Sequence, residues 1–263
     1  MKTITLLLFA CIVINCTAQL TSTVIYNFEG TATDLSDNGN DGTAFGGATT
    51  VHNLKLFNNN TDYLTVPADA IDGLDDFTIS FRIKFAVFHT TGSFPTNHIF
   101  SGSRSGCVQC FGFSYEKVMD VWKLAFNGAV YTWDDADLEE RTWYCVSLVR
   151  TDGTIKFYVE GEEMPGSYFD DSEIDITSFV IGQEDDCVGG CFVTNQSMYG
   201  RMDNFQVWDG FHFGCNYNAH TKESAITQTP EIISDFTIYP NPANNYILIE
   251  SKNPEGGFIS IVN

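Results

Sequence analysis

Few residues in this chain have the types and spacing that chemistry needs. The first candidates are Glu173 and Asp175 in Glu173-Ile-Asp-Ile-Thr-Ser-Phe179. In an extended segment, residues two apart share one face, so both carboxylates would meet the same substrate. Retaining glycoside hydrolysis needs two carboxyl groups across one bond. The positions that follow hold Thr177 and Ser178, so the pattern predicts no catalytic site. The acid clusters Asp134-Asp135, Asp137, Glu139-Glu140 and Glu184-Asp185-Asp186 fall in predicted loops. Solvated charge is the plain reading of them; the sharper one makes Asp185 and Asp186 a weak ligand or divalent-ion site on the rim. Trp133 and Tyr199 flank loops, and an exposed aromatic plane can stack on the apolar face of a sugar. Five scattered His residues form no Ser/His/Asp order and no His-x-x-x-His pair, and no glycine motif for phosphate is present.

The cysteines carry a second kind of chemistry. Lys2 precedes an apolar run from Ile4 to Ile14, and Cys16-Thr-Ala18 before Gln19 has the small-residue pattern of a signal-peptidase site. Residues 1–18 therefore read as a signal peptide, and the mature chain as secreted or held at the cell surface. The run is too short to span a bilayer, and no other segment suffices. Of eight cysteines, Cys107, Cys110, Cys145, Cys187, Cys191 and Cys215 remain after cleavage. An even number in an exported chain argues for disulfides, with fifteen possible pairings. The Cys107-x-x-Cys110 spacing also admits zinc or a redox pair, and Cys187-x-x-x-Cys191 admits zinc. With Gly189-Gly190 in its spacer, Cys187 is expected to pair with Cys191 across a tight loop.

Formal charge is −21, from 34 acidic against 13 basic residues. A phosphate backbone needs a basic face, so nucleic acid is excluded as the expected partner, and a cation is the more natural one.

The elements that must position these residues are strands. Phe77 to Val87 alternates without a break, with Phe77, Ile79, Phe81, Ile83, Phe85 and Val87 on one side and Thr78, Ser80, Arg82 and Lys84 on the other, which predicts a strand with one buried and one wetter face. Such a face needs a second sheet to cover it. Shorter runs at 23–29, 54–57, 63–66, 99–101, 111–115, 121–126, 143–149, 154–159, 179–181 and 202–208 follow the same reading. Arg150-Thr-Asp-Gly153 between two of them signals a hairpin. Many short strands, short turns and no amphipathic helix predict an all-β, two-sheet antiparallel sandwich. Residues 220–235 are polar and read as a linker, and a small, incomplete β-type pattern follows at 236–263.

Seven motifs in order carry a resemblance: Tyr26-Asn-Phe-Glu-Gly30, the Asp34-to-Gly42 loop, Asp62-Tyr-Leu-Thr-Val66, Phe77-Thr-Ile-Ser-Phe81, Thr142-Trp-Tyr144, Lys156-Phe-Tyr-Val-Glu-Gly161 and Gly200-Arg-Met-Asp-Asn-Phe-Gln-Val-Trp208. Together they resemble the LamG-like jelly-roll domain of the concanavalin A-like lectin and glucanase superfamily, over residues 19–219. The resemblance implies a recognition module for a glycan or a cell-surface ligand. Its alternatives are a diverged glycoside hydrolase or polysaccharide lyase, and a purely structural adhesin domain. It implies core packing for Trp143 and Trp208. It also implies a structural Ca2+ where the first and last strands meet, with Glu29, Gly30 and Asp203 in the matching motifs and Asp34 in the adjacent loop. Laminarinase-type relatives carry a Glu-x-Asp-x-Glu pattern, of which only Glu173 and Asp175 are present here. Phe236-Thr-Ile-Tyr-Pro-Asn-Pro-Ala-Asn244 resembles the start of a C-terminal sorting domain. That implies the type IX secretion machinery as a partner, with the domain truncated at Asn263.

Overall fold

The computed structural model describes residues 21–57, 60–92, 95–134, 137–193, 195–212, 214, 236–239 and 248–251. In chain order the strands are β1 (Thr21–Tyr26), β2 (Thr43–Phe45), β3 (Leu54–Leu56), β4 (Tyr63–Val66), β5 (Phe77–Phe85), β6 (Asn97–Arg104), β7 (Cys107–Glu116), β8 (Val121–Phe126) and β9 (Ala129–Asp134). Then come β10 (Tyr144–Thr151), β11 (Thr154–Val159), β12 (Glu162–Glu163), β13 (Tyr168–Phe169), β14 (Ser178–Ile181), β15 (Gly200–Asp209), β16 (Phe236–Tyr239) and β17 (Leu248–Ser251). Among the described residues the only helix is one 3-10 turn, Ala68–Ala70, so no helix there is long and apolar enough to cross a membrane.

Two antiparallel sheets face each other as a jelly-roll sandwich. The first runs β1-β15-β5-β10-β11-β12, with β3 added on β15 and β13 on β11; the second runs β2-β4-β14-β6-β7-β8-β9. The first and last strands of the sandwich pair, Tyr26 with Phe205 and Thr21 with Asp209. The chain divides into two compact units, residues 1–216 and 217–263. In the second, β16 and β17 pair antiparallel from Phe236 against Ser251 to Tyr239 against Leu248. Residues 1–18, expected to be a signal peptide, residues 220–235, expected to be a linker, and Cys215 lie outside the described residues.

The core follows from alternation. Phe77, Ile79, Phe81, Ile83 and Phe85 of β5 are fully buried and meet the apolar face of the second sheet, as in the edge-to-face pairs Phe77–Phe111 and Phe81–Phe100. Two parts of the expectation for this strand fail. It ends at Phe85, leaving Val87 exposed. Half of its other face is dry where wet was expected: Thr78 and Ser80 are buried, because the segment after β15 folds back over them, while Arg82 and Lys84 remain half-exposed. Thr78 Oγ1 donates to the Gly210 carbonyl at 3.0 Å and accepts from His212 N at 2.8 Å.

The β10–β11 hairpin closes through Asp152 and Gly153 alone, both at positive φ (47° and 70°). A two-residue turn of this sign matches the twist of the strands it joins. A side chain at Gly153 would also meet the Phe169 ring. Arg150, read from sequence as part of the turn, lies instead in β10 and is buried. Its guanidinium donates to the carbonyls of Leu74, Asp75, Asp170 and Ser172 and sits over the rings of Phe77 and Phe126 at 5.0 and 5.1 Å. The charge is thus bonded at every side that burial takes from water.

Candidate functional site: a polar trough on the second sheet

The outer face of the second sheet is built from two neighbouring rows. Register pairs Ser101 with Gly112, Gly112 with Ala125 and Ala125 with Val130, a row of small side chains. The next row pairs His98 with Ser114, Ser114 with Lys123 and Lys123 with Thr132. The inward positions between them include Phe100, Phe113 and Leu124, all fully buried. Large residues inside and small ones outside leave a trough of about 340 Å³, closed at one end by Gln109, Glu184 and Gln196.

The polar side chains at that end are interlocked. Gln109 Nε2 donates to Glu184 Oε1 and, at 3.2 Å, to Asp186 Oδ1, while His98 Nε2 lies 3.6 Å from Glu184 Oε1. Burial and the Lys123 ammonium hold the His98 imidazole down to about 3, so it is neutral. Burial and the Asp186 carboxylate push Glu184 up to about 7. The contact at 3.6 Å is therefore no ion pair at neutral pH. Lys123 is paired with Glu116. Several polar atoms are buried without a hydrogen-bond partner: His98 Nδ1, Glu184 Oε2, Gln196 Oε1 and Ser101 Oγ. Each such atom costs about 1–3 kcal/mol until it is satisfied.

Both described disulfides hold this corner. Cys107–Cys110 and Cys187–Cys191 are bonded, with Cα atoms 5.6 and 5.3 Å apart, so each closes its own short loop. Both pairs are thus cross-linked, as the even cysteine count led us to expect. Cys145 is disulfide-bonded too. Between Cys107 and Cys110 the backbone turns at Gln109, φ 52°, and Gln109 N donates to Ser103 Oγ at 3.1 Å; this aims its amide at Glu184. Asp185 is fully buried and its carboxylate accepts from Gly189 N, Gly190 N and Ser178 Oγ. It braces the Cys187–Cys191 loop, and that loop sets Glu184 and Asp186 beside Gln109.

The residues singled out from the sequence thus separate. Asp186 reaches the trough through Gln109, whereas Asp185 is spent inside the loop. Trp133 is fully buried: it pairs across the strands with Trp122, packs on Phe157 and Tyr168, and donates Nε1–H to the Gly166 carbonyl at 2.9 Å. It has no face to offer a sugar. Trp143 and Trp208 show the reverse, since both stand half-buried on the outer face of the first sheet, Trp143 under Arg82 and Lys84 and Trp208 stacked on His212 at 3.9 Å. Tyr199 is half-buried beside a different groove, with Phe57 and Arg201. Glu173 and Asp175 lie exposed in the loop before β14, Asp175 bonded to Arg104 at 2.8 Å; neither lines the trough.

The set expected to hold calcium is drawn into other bonds. Asp34 Oδ1 accepts from Ile25 N and Ser36 N, and Oδ2 from Asn40 N and Ser36 Oγ. Burial acts to raise its pKa, but these donors outweigh it and hold the carboxyl below the usual range. Glu29 is exposed, 3.4 Å from His52 Nδ1. Gly30 N donates to the Thr50 carbonyl, and the buried Asp203 accepts from Asn204 N at 2.9 Å. Among the described residues no three Asp, Glu, His or Cys side chains converge as a metal group. As placed, Asp34 fits a loop of amide donors rather than a cation.

His98 and Gln109 were missed in the sequence. The one available signal was the parity of β7 and β8, where Gly112, Ser114, Lys123 and Ala125 alternate with large aromatic and aliphatic residues.

Solved structures share this architecture. Domain 4 of an extracellular arabinanase from Geobacillus stearothermophilus, solved with arabinotriose, matches with a TM-score of 0.52 at 16% identity, over 73% of this chain and 93% of that one. Trypanosoma rangeli sialidase, in complex with sialic acid, matches at 0.55 and 18%, over 75% of this chain and only 32% of the sialidase. The receptor-binding domain of botulinum neurotoxin type G matches at 0.52 and 11%, over 73% and 49%. At these identities the likeness is one of fold. No curated protein matches the sequence. The third laminin G family model, described as concanavalin A-like lectin/glucanases superfamily, matches residues 58–211. That match covers more than half of a chain already seen to fold as two facing antiparallel sheets, and the protein belongs to the concanavalin A-like lectin/glucanase superfamily.

Proposed function

We propose that the protein is a non-catalytic recognition module, secreted or held at the cell surface, that binds glycan segments in the trough of its second sheet. The observation that carries this reading is a trough in which a polar end, with His98, Gln109, Glu184 and Gln196, adjoins a floor of small side chains. Sugar hydroxyls both donate and accept. Glu184, half-protonated near neutral pH, together with neutral His98, Gln109 and Gln196, offers both roles within one end of the trough. Gly112, Ala125 and Val130 leave room for the apolar C–H face of a ring. The superfamily and the sugar complexes of its structural neighbours support the ligand class. Hydrolysis has less support, because Glu184 stands beside His98 and Gln109 rather than across an open gap from a second carboxylate.

The test is retention of the full chain on a panel of neutral polysaccharides. An Ala125→Trp variant fills the trough and is expected to lose at least tenfold in affinity. Gln109→Ala tests the polar end separately. A Cβ at Gly112 would sit 3.8 Å from Ala125 Cβ, so Gly112→Ala folds normally and narrows the floor by one methyl. Affinity unchanged in all three variants rejects the reading. Release of reducing ends, abolished by Glu184→Gln, would replace recognition with catalysis.

A further inference from the structure

The outer face of the first sheet gathers cations on a chain that has few. Arg201 of β15 pairs in register with Lys55 of β3 on one side and Lys84 of β5 on the other. Directly opposed residues on neighbouring strands hold their Cβ atoms about 5 Å apart, so three cations stand in one row. Their neighbours Leu54, Leu56, Ile83 and Met202 are buried, which turns the row outward. Gly200 lets the strands close on each other here, since a side chain would strike the Lys84 carbonyl. The row forms the wall of a groove of about 330 Å³, whose further lining includes Phe57, Arg141 and Tyr199.

Charges of one sign placed opposite each other destabilise a sheet. The chain has 34 acidic side chains to spare, yet among the described residues none pairs with Lys55, Lys84, Arg141 or Arg201. Among the described residues Arg201 bonds only the neutral Asn53 amide oxygen, at 3.2 Å. Aromatic faces hold the cations in place: Lys55 lies 4.4 Å from the Phe57 centroid, and Lys84 and Arg82 lie 4.8 and 5.2 Å from that of Trp143.

We propose that this groove is a second ligand site, which takes the carboxylate or sulfate group of an acidic polysaccharide. Arg201 offers a planar fork for two oxygens of one anionic group, with the Lys55 and Lys84 ammonium groups on either side. Phe57 and Tyr199 give the sugar ring apolar surface beside it. The overall charge of −21 sets the selectivity. An anionic group in the groove feels the row within a Debye length of about 10 Å at 0.1 M salt, and beyond that distance the acidic surface offers a polyanion no further attraction. The site is independent of the trough.

Binding of the full chain to polygalacturonate, to a sulfated galactan and to uncharged galactan tests the site, at low and at 0.5 M salt. We expect retention on one charged polymer, lost at high salt, and the two charged arms tell carboxylate from sulfate. The Lys55→Gln/Lys84→Gln double variant is expected to weaken it at least tenfold. Arg201→Lys, which keeps the charge and removes the fork, falls between wild type and the double variant. Lys156→Gln, which removes one positive charge on β11 away from the row, leaves retention unaltered. No preference for a charged polymer over galactan overturns the proposal, and so do row variants that bind as wild type. Comparable binding to DNA or to phosphatidylserine vesicles would overturn the polysaccharide assignment. Loss of the trough's neutral-glycan binding in Ala125→Trp says nothing about this groove, so the two sites fail separately.

Discussion

The outer faces of the two sheets solve opposite problems. On the second sheet, polar groups sit low in a trough, their charges quenched: Lys123 by Glu116, His98 by burial, Glu184 by a raised pKa. On the first sheet, cations stand half-buried along a groove, steadied by aromatic rings and, among the described residues, left without counter-ions. The chemistry of each face follows from depth. Buried polar atoms lacking partners favour a ligand that brings hydrogen bonds; like charges in a row favour one that brings opposite charge.

Arg150 gives the largest effect and sharpens the contrast between a cation that is fully bonded and cations that are not. Arg150→Met leaves the Asp75, Asp170 and Ser172 carbonyls without a donor, at about 1–3 kcal/mol each if no relaxation occurs, whereas the Leu74 carbonyl keeps Ile174 N. We expect a loss of about 3–5 kcal/mol with partial relaxation, seen as a fall in Tm of about 10 °C, against little or no change for Lys84→Gln. Equal melting temperatures for the two variants would erase the distinction.

Glu184 gives the next effect. Its folded pKa of about 7 lies above the ordinary 4.5, so between those values the folded state holds the proton more tightly. Stability then falls as pH rises from about 4.5 to about 7 and stays lower above it. Glu184→Gln should therefore be more stable than wild type at pH 8, by about 1–2 kcal/mol after allowance for screening, and equal to it at pH 4. His98 works the other way: neutral in the fold, it withdraws stability as pH falls from about 6.5 towards 3. Urea denaturation at several pH values separates the two. A flat difference between Glu184→Gln and wild type would mean that the carboxyl is not held as described.

The smallest effect concerns the loop at Asp34. Because amide and hydroxyl donors satisfy both of its oxygens, we expect Tm to move by less than about 1 °C between excess calcium and EDTA. Bound calcium at a hundredfold excess over its Kd would add about 2.7 kcal/mol, so a rise of several degrees would show the carboxylates opening to a cation. The stability that Asp34 does supply should be lost on acidification, as its depressed pKa requires.

Local chemistry made much of this protein legible from sequence. Alternation in Phe77–Phe85 put its five apolar side chains inward, Asp152-Gly153 closed its hairpin, and Gly189-Gly190 let Cys187 reach Cys191; each depends on residues a few positions apart. Aromatic placement was not legible in this way. Trp133 went in, and Trp143 and Trp208 went out, because a tryptophan satisfies either face and only strand parity against the partner sheet decides. The burial of Thr78 and Ser80 on the back of β5 depended on residues 210, 212 and 214 returning over them.

The two candidate sites lie wholly on the tertiary side of that line. His98, Ser114 and Lys123 become neighbours through the pairing of β6, β7 and β8, and Lys55, Arg201 and Lys84 through that of β3, β15 and β5. The sequence by itself determined that the chain would be an all-β sandwich of strands with one apolar face each, since alternation is a property of the local backbone. Which polar residues would share a row was decided by sheet order and register, which arise only when distant strands bury those faces against each other.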